Sequence, residues 1–490
     1  MQATTDGRGK LSVEQRRRRR AGGSTGDGGG GSAMNALRVH FAGIGGIGMS
    51  AIAQVLHQRG WQVTGCDLKP SPITQKLQEQ GITVWLGHDP THVQGCDVFV
   101  YTAAVHEDNP ELIAARNTGI RVLRRSQALG MLLEGHKGIA VTGTHGKTTT
   151  TAMVASVLEA AGADPQVLIG GEVRRYGGNV RLGRGEYVVV EACEAYDSFL
   201  DLCPYAAVVT NVEAEHLDYY QTEQRMLESY RRFVSQVSAE GFVLTWADDG
   251  RSLEICDQAV AKVVTFGRSR RADYRAVPAD GEGVFQVQAH GETLGAIRLR
   301  VPGAHNVLNA VAAAGASVEL GLSFDAVREG LESFEGVQRR LEFVGQAKGV
   351  QIYDDYGHHP TEIEATLVTL RPRVKKRLVV AFQPHLYSRT RDFLHRFADV
   401  LAQGSDVLVL VEIYPAREEP IPGISSARLA DEVRWRRPDM QVILADTPER
   451  AAEVLLQIVR EDDTVLTLGA GELDRTARLL LQLLGGADGV

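Results

Sequence analysis

The sequence predicts an α/β protein of three domains: a Rossmann-like N-terminal domain, a central P-loop ATPase-like domain with a parallel sheet, and a Rossmann-like C-terminal domain. Its 490 residues exceed one ordinary core and favour about two to four domains. Short apolar runs alternate with helical stretches, as in βαβ units. This rhythm restarts twice, so we place the domains at residues 36–135, 136–335 and 336–490, after a tail at residues 1–35.

Composition and charge exclude several classes of protein. A hydrophobic content of 43% is ordinary for a globular protein, and a net charge of −8 argues against a general nucleic-acid binder. No apolar run reaches the length of a membrane span, and no secretory signal follows the N-terminal charges. The five cysteines are scattered without a CxxC pair, which favours a reducing compartment. We therefore expect a cytoplasmic protein with no nucleic-acid or membrane partner.

The tail differs from the rest of the chain, because it combines the run Arg16 to Arg20 with a glycine-rich stretch. Such a segment has too few apolar residues to offset its ordering entropy. We interpret it as a disordered extension, or as leader sequence upstream of a start at Met34. A basic tail that contacts RNA or anionic lipid is the alternative.

The first domain opens with the strand LRVHFAG, a glycine turn, the helix MSAIAQVLHQRG and the strand QVTGCD. In the turn, Gly43, Gly45 and Gly48 fit the pattern G-x-G-x-x-G, with Gly46 between them, and Asp67 ends the second strand where a ribose-binding acid belongs. Glycines let the backbone approach a diphosphate, and the helix N-terminus favours its charge. The diphosphate of a dinucleotide or of a nucleotide sugar fits equally, so an oxidoreductase stays an open alternative here.

The second domain opens with the strand KGIAVTGT, another glycine turn and the helix TTTTAMVASVLEAAG. The turn ends in Gly-Lys-Thr, and its amides can wrap phosphate oxygens. Lys147 can neutralise phosphate charge, and Thr148 can offer its hydroxyl to Mg²⁺. We therefore predict ATP binding by Gly143, Thr144, His145, Gly146, Lys147, Thr148 and Thr149.

Two further strands of this domain are EYVVVEA and YAAVVTN, and the segment 268–299 is interpreted as an antiparallel addition. Glu191 ends the first of these strands. A carboxylate at the carboxyl end of a strand beside a phosphate loop suits a Mg²⁺ ligand, and a surface acid is the alternative. Two helices follow, and the third domain has the strands VQIYDDY, RLVVAF, DVLVLVEIY, QVILAD and TVLTLGA.

Several motifs in a fixed order resemble the Mur ligase family of ATP-dependent, amide-forming ligases. They are GIGGIGMS, GTHGKTT, EACEAYDSFL, TNVEAEHLDYY, GAHNVLNA, GVQRRLE, DDYGHHPTEI, FQPHLYSRTRDF and PIPGIS, and they extend from Leu37 to the C-terminus. The set is most similar to the member that attaches L-alanine to UDP-N-acetylmuramate. The resemblance implies that the first glycine turn binds this nucleotide sugar, the second binds ATP, and the third domain brings L-alanine.

The resemblance also implies metal ligands. Glu191 matches a Mg²⁺ ligand, and His216 matches a histidine associated with a second metal ion. Some relatives carry a carbamylated lysine shortly after this histidine, but no lysine lies between Lys147 and Lys262. Glu228 is our hypothesis for a replacement. We expect two Mg²⁺ sites, with Thr148, Glu191 and His216 as ligands.

Further residues are assigned by the same resemblance. Asn306 and Asn309 would contact adenine, although Asn306 is also a candidate helix cap. Arg340, or its neighbour Arg339, would reach ATP across the cleft. The remaining assignments are Asp355 for the ribose, Tyr356, His385 and Arg389 for the amino acid, and Lys147, Glu191, His216 and His358 for catalysis.

The implied reaction is ATP-dependent ligation through an acyl phosphate, an early cytoplasmic step of peptidoglycan synthesis, by a monomer or homodimer. Some relatives have arginine where Leu386 stands, so part of the amino-acid contact is open. The murein tripeptide recycling ligase is the alternative within the family. A nucleic-acid-binding ATPase, resting on the basic tail, is the alternative outside it.

Overall fold

The computed structural model describes residues 36–416 and 418–486, so the predicted tail lies outside the described residues. Within them, three sheets follow one another along the chain. Each sheet has a parallel centre with helices against it, which confirms the predicted α/β fold class. None of the helices in these ranges has the length and apolar character needed to cross a membrane.

The first sheet is fully parallel, with strand order β3-β2-β1-β4-β5. Its central strand is buried over its last four residues, because helices cover both faces. The strand order reverses between β1 and β4, and ligands bind in parallel sheets at such a point. The elements are β1 (Arg38–Ala42), α1 (Ile47–Gln58), β2 (Gln62–Asp67), α2 (Pro72–Glu79), β3 (Thr83–Leu86), a 3₁₀ turn (Pro90–Val93), β4 (Val98–Tyr101), α3 (Pro110–Thr118), β5 (Arg121–Arg124) and α4 (Arg125–Leu133).

The second sheet has ten strands in the order β15-β14-β13-β12-β11-β10-β6-β9-β7-β8. The strands from β13 to β7 in that order are parallel neighbours, whereas β14, β15 and β8 pair antiparallel. The segment interpreted as an antiparallel addition therefore forms a meander at one edge. The strands are β6 (Lys137–Thr142), β7 (Gln166–Val173), β8 (Gly178–Arg181), β9 (Tyr187–Glu191), β10 (Ala206–Val209), β11 (Phe242–Trp246), β12 (Lys262–Gly267), β13 (Tyr274–Pro278), β14 (Val284–Ala289) and β15 (Glu292–Arg298).

Helices pack against both faces of this second sheet. They are α5 (Lys147–Ala160), α6 (Leu217–Tyr220), α7 (Glu223–Ser235), α8 (Gly250–Glu254), α9 (Ala304–Glu319) and α10 (Phe324–Glu332), with 3₁₀ segments at Arg174–Tyr176, Ala195–Asp201 and Ile255–Gln258. The first of them, α5, is buried on all sides from Thr148 to Leu158, because α9 and α10 cover the face that it turns away from the sheet. The phosphate loop at its N-terminus is therefore held rigidly.

The third sheet has the order β16-β17-β21-β18-β19-β20, and only the β16–β17 pair is antiparallel. Its strand β17 ends at Asp355, which lines the same cavity as His145 and Gly146 of the phosphate loop. The elements are β16 (Glu342–Ala347), β17 (Val350–Asp355), α11 (Pro360–Leu370), a 3₁₀ turn (Arg371–Arg373), β18 (Leu378–Phe382), α12 (Tyr387–Asp392), α13 (Leu394–Gly404), β19 (Val407–Val411), α14 (Ser426–Arg436), β20 (Gln441–Ala445), α15 (Pro448–Ile458), β21 (Thr464–Leu468) and α16 (Asp474–Gly485).

Candidate active site

The phosphate loop connects β6 to α5 in a shape that two glycines permit. Gly143 and Gly146 have φ values of 122° and 79°, which lie in a region that other residues rarely adopt. A Cβ on Gly146 would lie 2.5 Å from Asn309 Oδ1. Thr210 Oγ1 and Asn211 Nδ2 both donate to the carbonyl of His145, at 2.6 and 3.0 Å. The loop is thus fixed by close packing and by the chain that follows β10.

Lys147 lies at the start of α5 and folds back over this loop. Its Nζ donates to the carbonyls of Gly143 and Thr144, at 2.5 and 3.0 Å, and to Glu194 Oε1 at 3.1 Å. Burial lowers the pKa of Lys147, but the Glu194 carboxylate outweighs this effect and raises the pKa above its ordinary value. Lys147 is therefore positively charged and lies against the carbonyls of the loop.

Two carboxylates and a histidine lie beside Lys147. Glu191 ends β9 and accepts a hydrogen bond from the Gly170 amide at 2.8 Å. Glu194 is 1% exposed, and its Oε2 lies 3.0 Å from Lys147 Nζ in an ion pair but has no hydrogen-bond partner within the described ranges. His216 Nε2 lies 3.7 Å from Glu194 Oε1. The structure thus brings Lys147, Glu194 and His216 together.

His145 connects the second and third sheets. Its ring nitrogens lie 3.2 Å from Glu362 Oε1, on α11, and 3.4 Å from Glu213 Oε2. Although burial lowers the pKa of His145, these two carboxylates raise it to about 9. Thr361 Oγ1 also donates to Glu213 Oε2, at 3.0 Å. At neutral pH, a charged imidazolium therefore holds α11 against the phosphate loop.

A cavity of about 210 Å³ lies between the phosphate loop, α9 and α11. Residues from the second and third sheets contribute to its wall, so it is a site between domains. Eight of the predicted ATP-binding residues line this cavity: His145, Gly146, Thr148, Thr149, Asn306, Asn309, Arg340 and Asp355. Other lining residues include Thr210, Asn211, Glu213, Trp246, Phe266, His305, Leu308, Thr361 and Glu362.

Asn306 and Asn309 contact each other on this wall. Asn309 Nδ2 donates to Asn306 Oδ1 at 3.3 Å, and Asn306 Nδ2 donates to the Pro302 carbonyl at 2.6 Å. Asn306 does not cap α9 with its side chain, since the N-cap is Gly303 and no side chain bonds the free amides there. Both amide groups are therefore held in place at the surface of the cavity.

The two adjacent arginines have different environments. Arg339 has a left-handed φ of 59°. It donates to the carbonyls of Gly469 and Gly471 at 2.6 and 3.0 Å, and to Asp354 Oδ2 at 3.1 Å. Arg340 instead lines the cavity, with Nη1 3.9 Å from Glu362 Oε1. The geometry thus favours Arg340 over Arg339 as the residue that faces a nucleotide.

Asp355 lies at the end of β17 and is nearly inaccessible to solvent. Its two oxygens accept the amides of Gly357 and Leu341, both at 2.7 Å. Burial raises the pKa of Asp355 to about 6, against the charge of Arg340. The carboxyl group therefore stands at the cavity wall in a fixed orientation.

Tyr356, His358 and His385 form an aromatic group at the carboxyl ends of β17 and β18. The ring of His358 lies 5.5 Å from that of Tyr356 and 5.7 Å from that of His385. Its Nδ1 lies 3.1 Å from the Tyr356 carbonyl, so Nδ1–H donates there and Nε2 carries the lone pair. Burial lowers the pKa of His358 to about 3, despite the charge of Glu362. The ring is therefore neutral.

Arg389 is 7% exposed and forms an ion pair with Glu215, which follows β10. The distances from Nη2 and Nε to Glu215 Oε1 are 2.6 and 3.2 Å, and Nη1 lies 3.1 Å from His385 Nδ1. Burial raises the pKa of Glu215, but the Arg389 charge outweighs it, and the pKa falls to about 2. The pair connects the second and third sheets at a second point.

The glycine turn of the first sheet is built on the end of β2. The amides of Gly43 and Ile44 donate to the Cys66 carbonyl at 2.9 and 3.0 Å. Asp67 Oδ2 accepts the Gly45 amide at 2.9 Å, and a Cβ on Gly45 would lie 2.8 Å from that oxygen. Gly46 precedes α1, where no side chain among the described residues caps the first amides, and the Arg125 guanidinium lies beside Gly48. The Gly45 and Gly46 amides are already bonded to Asp67 Oδ2 and the Gly43 carbonyl. The uncapped first amides of α1 and the nearby cation suit a diphosphate.

The predicted residues thus form two groups. Those of the second and third sheets surround one cavity or its margin, whereas the turn at Gly43 to Gly48 and Asp67 do not line it. Asn179 bridges the first two sheets, since its Nδ2 donates to the Ile47 and Ile169 carbonyls at 3.1 and 3.2 Å. Glu228, our hypothesis for the residue that replaces the carbamylated lysine, is exposed on α7. Sequence reasoning missed four acids inside the quoted motifs that pair with predicted residues: Glu194, Glu213, Glu215 and Glu362.

Comparison with known proteins gives a family for this chain. Models of the Mur ligase family, catalytic domain, the Mur ligase middle domain, and the Mur ligase, glutamate ligase domain match residues 38–137, 141–317 and 339–471. The UDP-N-acetylmuramate–L-alanine ligase of Geotalea daltonii is 42% identical over 450 residues, which are 91% of this chain and 98% of that protein. Its counterpart from Symbiobacterium thermophilum is 45% identical over 462 residues, which are 92% of this chain and 95% of that protein.

A solved structure agrees with these relatives. The UDP-N-acetylmuramate–alanine ligase of Thermotoga maritima superposes with a TM-score of 0.74 at 29% identity, and the match covers 91% of this chain and 99% of that one. The three family models account for most of residues 38–471 in the order of the three sheets. The chain belongs to the Mur ligase family.

Proposed function

We propose that this chain joins L-alanine to UDP-N-acetylmuramate and that the reaction converts ATP to ADP and phosphate. The observation that carries the proposal is the cavity between the phosphate loop and α11, whose wall combines anion-binding amides, paired asparagines and Arg340. The 41–45% identity to alanine-adding ligases in several bacteria supports the choice of substrates. The cytoplasm, where ATP and the nucleotide sugar occur, is the proposed location.

The adenine of ATP would lie against Asn306 and Asn309, with its ribose near Asp355. Its phosphates would lie on the amides of the loop from Gly143 to Thr148. Lys147 is already positioned there by two carbonyls and Glu194. A fixed cation at this point stabilises the negative charge that moves toward ADP as the γ-phosphate is transferred.

The residues around Lys147 fit magnesium. The Thr148 hydroxyl and the carboxylates of Glu191 and Glu194 are the oxygen donors that Mg²⁺ prefers. Glu194 is buried, and its ion pair with Lys147 holds its Oε2 beside the phosphate loop. When bound, Mg²⁺ neutralises the β- and γ-phosphate oxygens. His216, beside Glu194, stays the predicted ligand for a second ion.

The chemistry takes two steps. A carboxylate oxygen of the muramyl group attacks the γ-phosphorus, and ADP leaves, which gives an acyl phosphate. The amino group of L-alanine then attacks the acyl carbon, loses a proton, and displaces phosphate with that carboxylate oxygen. The ion pairs of His145 and Arg389 hold the third domain over the loop, so water is kept from the acyl phosphate.

L-alanine would bind beside Tyr356, His358 and His385. The neutral His358 offers its Nε2 lone pair to the amino group, which must be uncharged when it attacks. Arg389 uses Nε and Nη2 for Glu215, so only Nη1 remains for the alanine carboxylate. This arrangement requires His385, which Nη1 now contacts, to turn or to share the contact.

UDP-N-acetylmuramate would place its diphosphate on the first amides of α1, at Ile47 and Gly48, with Arg125 as a counter-charge. Asp67 would accept hydrogen bonds from the ribose. Because Asn179 connects the start of α1 to β7, the nucleotide sugar would lie along the seam between the first and second domains. Its carboxylate would thereby reach the phosphate loop.

Phosphate release tests this proposal. The purified chain is mixed with ATP, Mg²⁺ and UDP-N-acetylmuramate, and with L-alanine, glycine, L-serine or the tripeptide L-alanyl-D-glutamyl-diaminopimelate. We expect release to require both the nucleotide sugar and L-alanine, and to be lost in Lys147→Ala. Release with the tripeptide alone would move the assignment to a recycling ligase. Release without any amine would leave the proposal without support.

A further inference from the structure

A second group of chemically reactive side chains is buried in the first domain, outside the proposed catalytic cavity. His40 lies on β1, Cys66 on β2, His92 in the turn Pro90–Val93, and Glu111 in the first turn of α3. One ligand atom from each lies within 4.8 Å of the other three. His40, Cys66 and Glu111 are 0% exposed. The four residues come from four elements, so the fold assembles the cluster.

The Glu111 carboxylate is fully buried and faces three histidines and a thiol. Its ion pairs in the described part of the chain are all with histidines: His92 Nδ1 at 2.6 Å, His88 Nδ1 at 2.9 Å and His40 Nε2 at 3.5 Å. Cys66 Sγ lies 3.0 Å from its Oε2. The carboxylate is thus surrounded by imidazole and thiol groups, which are metal ligands in proteins.

His40 presents a lone pair to the cluster. Its Nδ1 lies 2.9 Å from Thr64 Oγ1, and that hydroxyl donates to the Val39 carbonyl. With Nδ1 donating to that hydroxyl, Nε2 carries the lone pair that a metal ion would use. Nε2 is buried and has no hydrogen-bond partner among residues 36–416 and 418–486. Nε2 lies 3.5 Å from Glu111 Oε1, so it faces the other members of the cluster.

We propose that His40 Nε2, Cys66 Sγ, His92 Nδ1 and Glu111 bind one Zn²⁺ ion as a structural site. Two imidazoles, one thiolate and one carboxylate form a ligand set that suits zinc, whereas Mg²⁺ prefers oxygen alone. The ion would place a positive charge beside the Glu111 carboxylate, and the Cys66 thiol would release its proton on binding.

Neighbouring groups already orient these ligands. Trp85 stacks on His92 with ring centroids 4.5 Å apart and an angle of 8°, and Thr64 Oγ1 lies 2.9 Å from Nδ1 of His40. His88 holds the second oxygen of Glu111. Such outer contacts are typical of ligands that hold a metal.

The site bears on the proposed sugar-binding turn without sharing a ligand with the magnesium site. The Cys66 carbonyl accepts the amides of Gly43 and Ile44, so a metal on the Cys66 side chain braces the strand end on which the turn is built. Asp67 is the next residue. Zinc would therefore stabilise the first domain and the shape of its glycine turn.

Metal binding by the full chain tests this proposal. The protein is stripped with a chelator and titrated with Zn²⁺ in competition with a chromophoric chelator. We expect one ion per chain with Kd below about 1 µM. We expect Cys66→Ser and His92→Gln each to weaken binding at least about tenfold. Cys256→Ser, which alters another buried thiol, and His359→Gln, which alters a second cluster of possible ligands at the ATP cavity, should leave it unchanged.

Cobalt gives an independent readout on the unaltered chain. Co²⁺ bound to a thiolate shows a charge-transfer band in the near ultraviolet. We expect this band in the wild-type protein and in Cys256→Ser, and its loss in Cys66→Ser. The proposal is overturned if the wild-type chain shows no such band, if it binds no zinc at micromolar concentration, or if Cys66→Ser and His92→Gln bind as tightly as the controls. These measurements do not depend on ligase activity.

Discussion

The ion pair between Arg389 and Glu215 provides a quantitative prediction. It is nearly inaccessible to solvent, with side-chain exposures of 7% and 9%, and joins α12 of the third domain to the loop after β10. We consider Arg389→Met, which keeps an apolar stem, Glu215→Gln, and the double substitution. Each single substitution leaves a buried charge without its partner.

The magnitude follows from the pKa of Glu215, which falls from 4.5 to about 2. A difference of this size corresponds to about 3 kcal/mol of interaction free energy, and breaking one partner of a buried pair costs about 3–5 kcal/mol. The pKa is lowered, so the stabilisation is fully present above pH 4.5 and is lost as pH falls toward 2. We expect each single variant to lose about 3 kcal/mol at pH 7, and the double variant to lose much less than the sum.

The assay is a double-mutant cycle by urea unfolding, followed by circular dichroism at pH 7. The expected coupling free energy is about 2–3 kcal/mol. A matched control is the exposed pair Arg450 and Glu453, 2.6 Å apart, for which we expect less than about 1 kcal/mol. If the free-energy losses of the two buried-pair variants add to within about 0.5 kcal/mol, the reasoning is refuted.

Three further predictions concern residues in or beside the two glycine turns. Gly170→Ala would place a Cβ 2.7 Å from both carboxylate oxygens of Glu191, so we expect the Mg²⁺ concentration for half-maximal activity to rise about tenfold. Gly250→Ala, with open space around its Cβ, is the control, and an equal rise there would contradict Mg²⁺ binding by Glu191. Gly45→Ala would place a Cβ against the carboxylate of Asp67, the proposed ribose-binding residue. Initial rates should show a higher KM for the nucleotide sugar and an unchanged KM for ATP, and a rise in both KM values would argue against a separate sugar site. The pKa of His145 is raised from 6.5 to about 9, so the stabilisation by its charged form is present below pH 6.5 and lost as pH rises through 9. The difference in unfolding free energy between wild type and His145→Gln should therefore fall from at most about 3 kcal/mol toward zero by pH 10. A difference that does not change with pH would contradict the proposed imidazolium.

Much of the fold could be predicted because its signals are local. The glycine turns at Gly43 and Gly143 follow apolar strands and precede helices, and the structure has the elements in those places. The edge meander was also predictable, since its short alternating pieces differ from the parallel core. Local pattern is sufficient where a backbone shape or one buried face decides the structure.

The partners of the site residues were not predictable in this way. The sequence suggests that the Arg389 guanidinium is available for a substrate carboxylate. In the structure it pairs with Glu215, which lies 174 positions earlier in the chain. Arg339 and Arg340 are equivalent in the sequence, and the left-handed backbone at Arg339 separates their directions. Such pairings depend on how two domains meet, which residue spacing does not encode.

The central claim is that ATP on the phosphate loop activates the muramyl carboxylate before alanine attacks. Isotope transfer tests it most directly: UDP-N-acetylmuramate labelled with ¹⁸O in its carboxylate is incubated with the chain, ATP, Mg²⁺ and L-alanine, and the released phosphate is examined by mass spectrometry. We predict one ¹⁸O atom in each phosphate released from fully labelled substrate, and no release by Lys147→Ala. Phosphate without the label, alongside formation of the amide, would contradict the acyl phosphate and with it the proposed role of the loop.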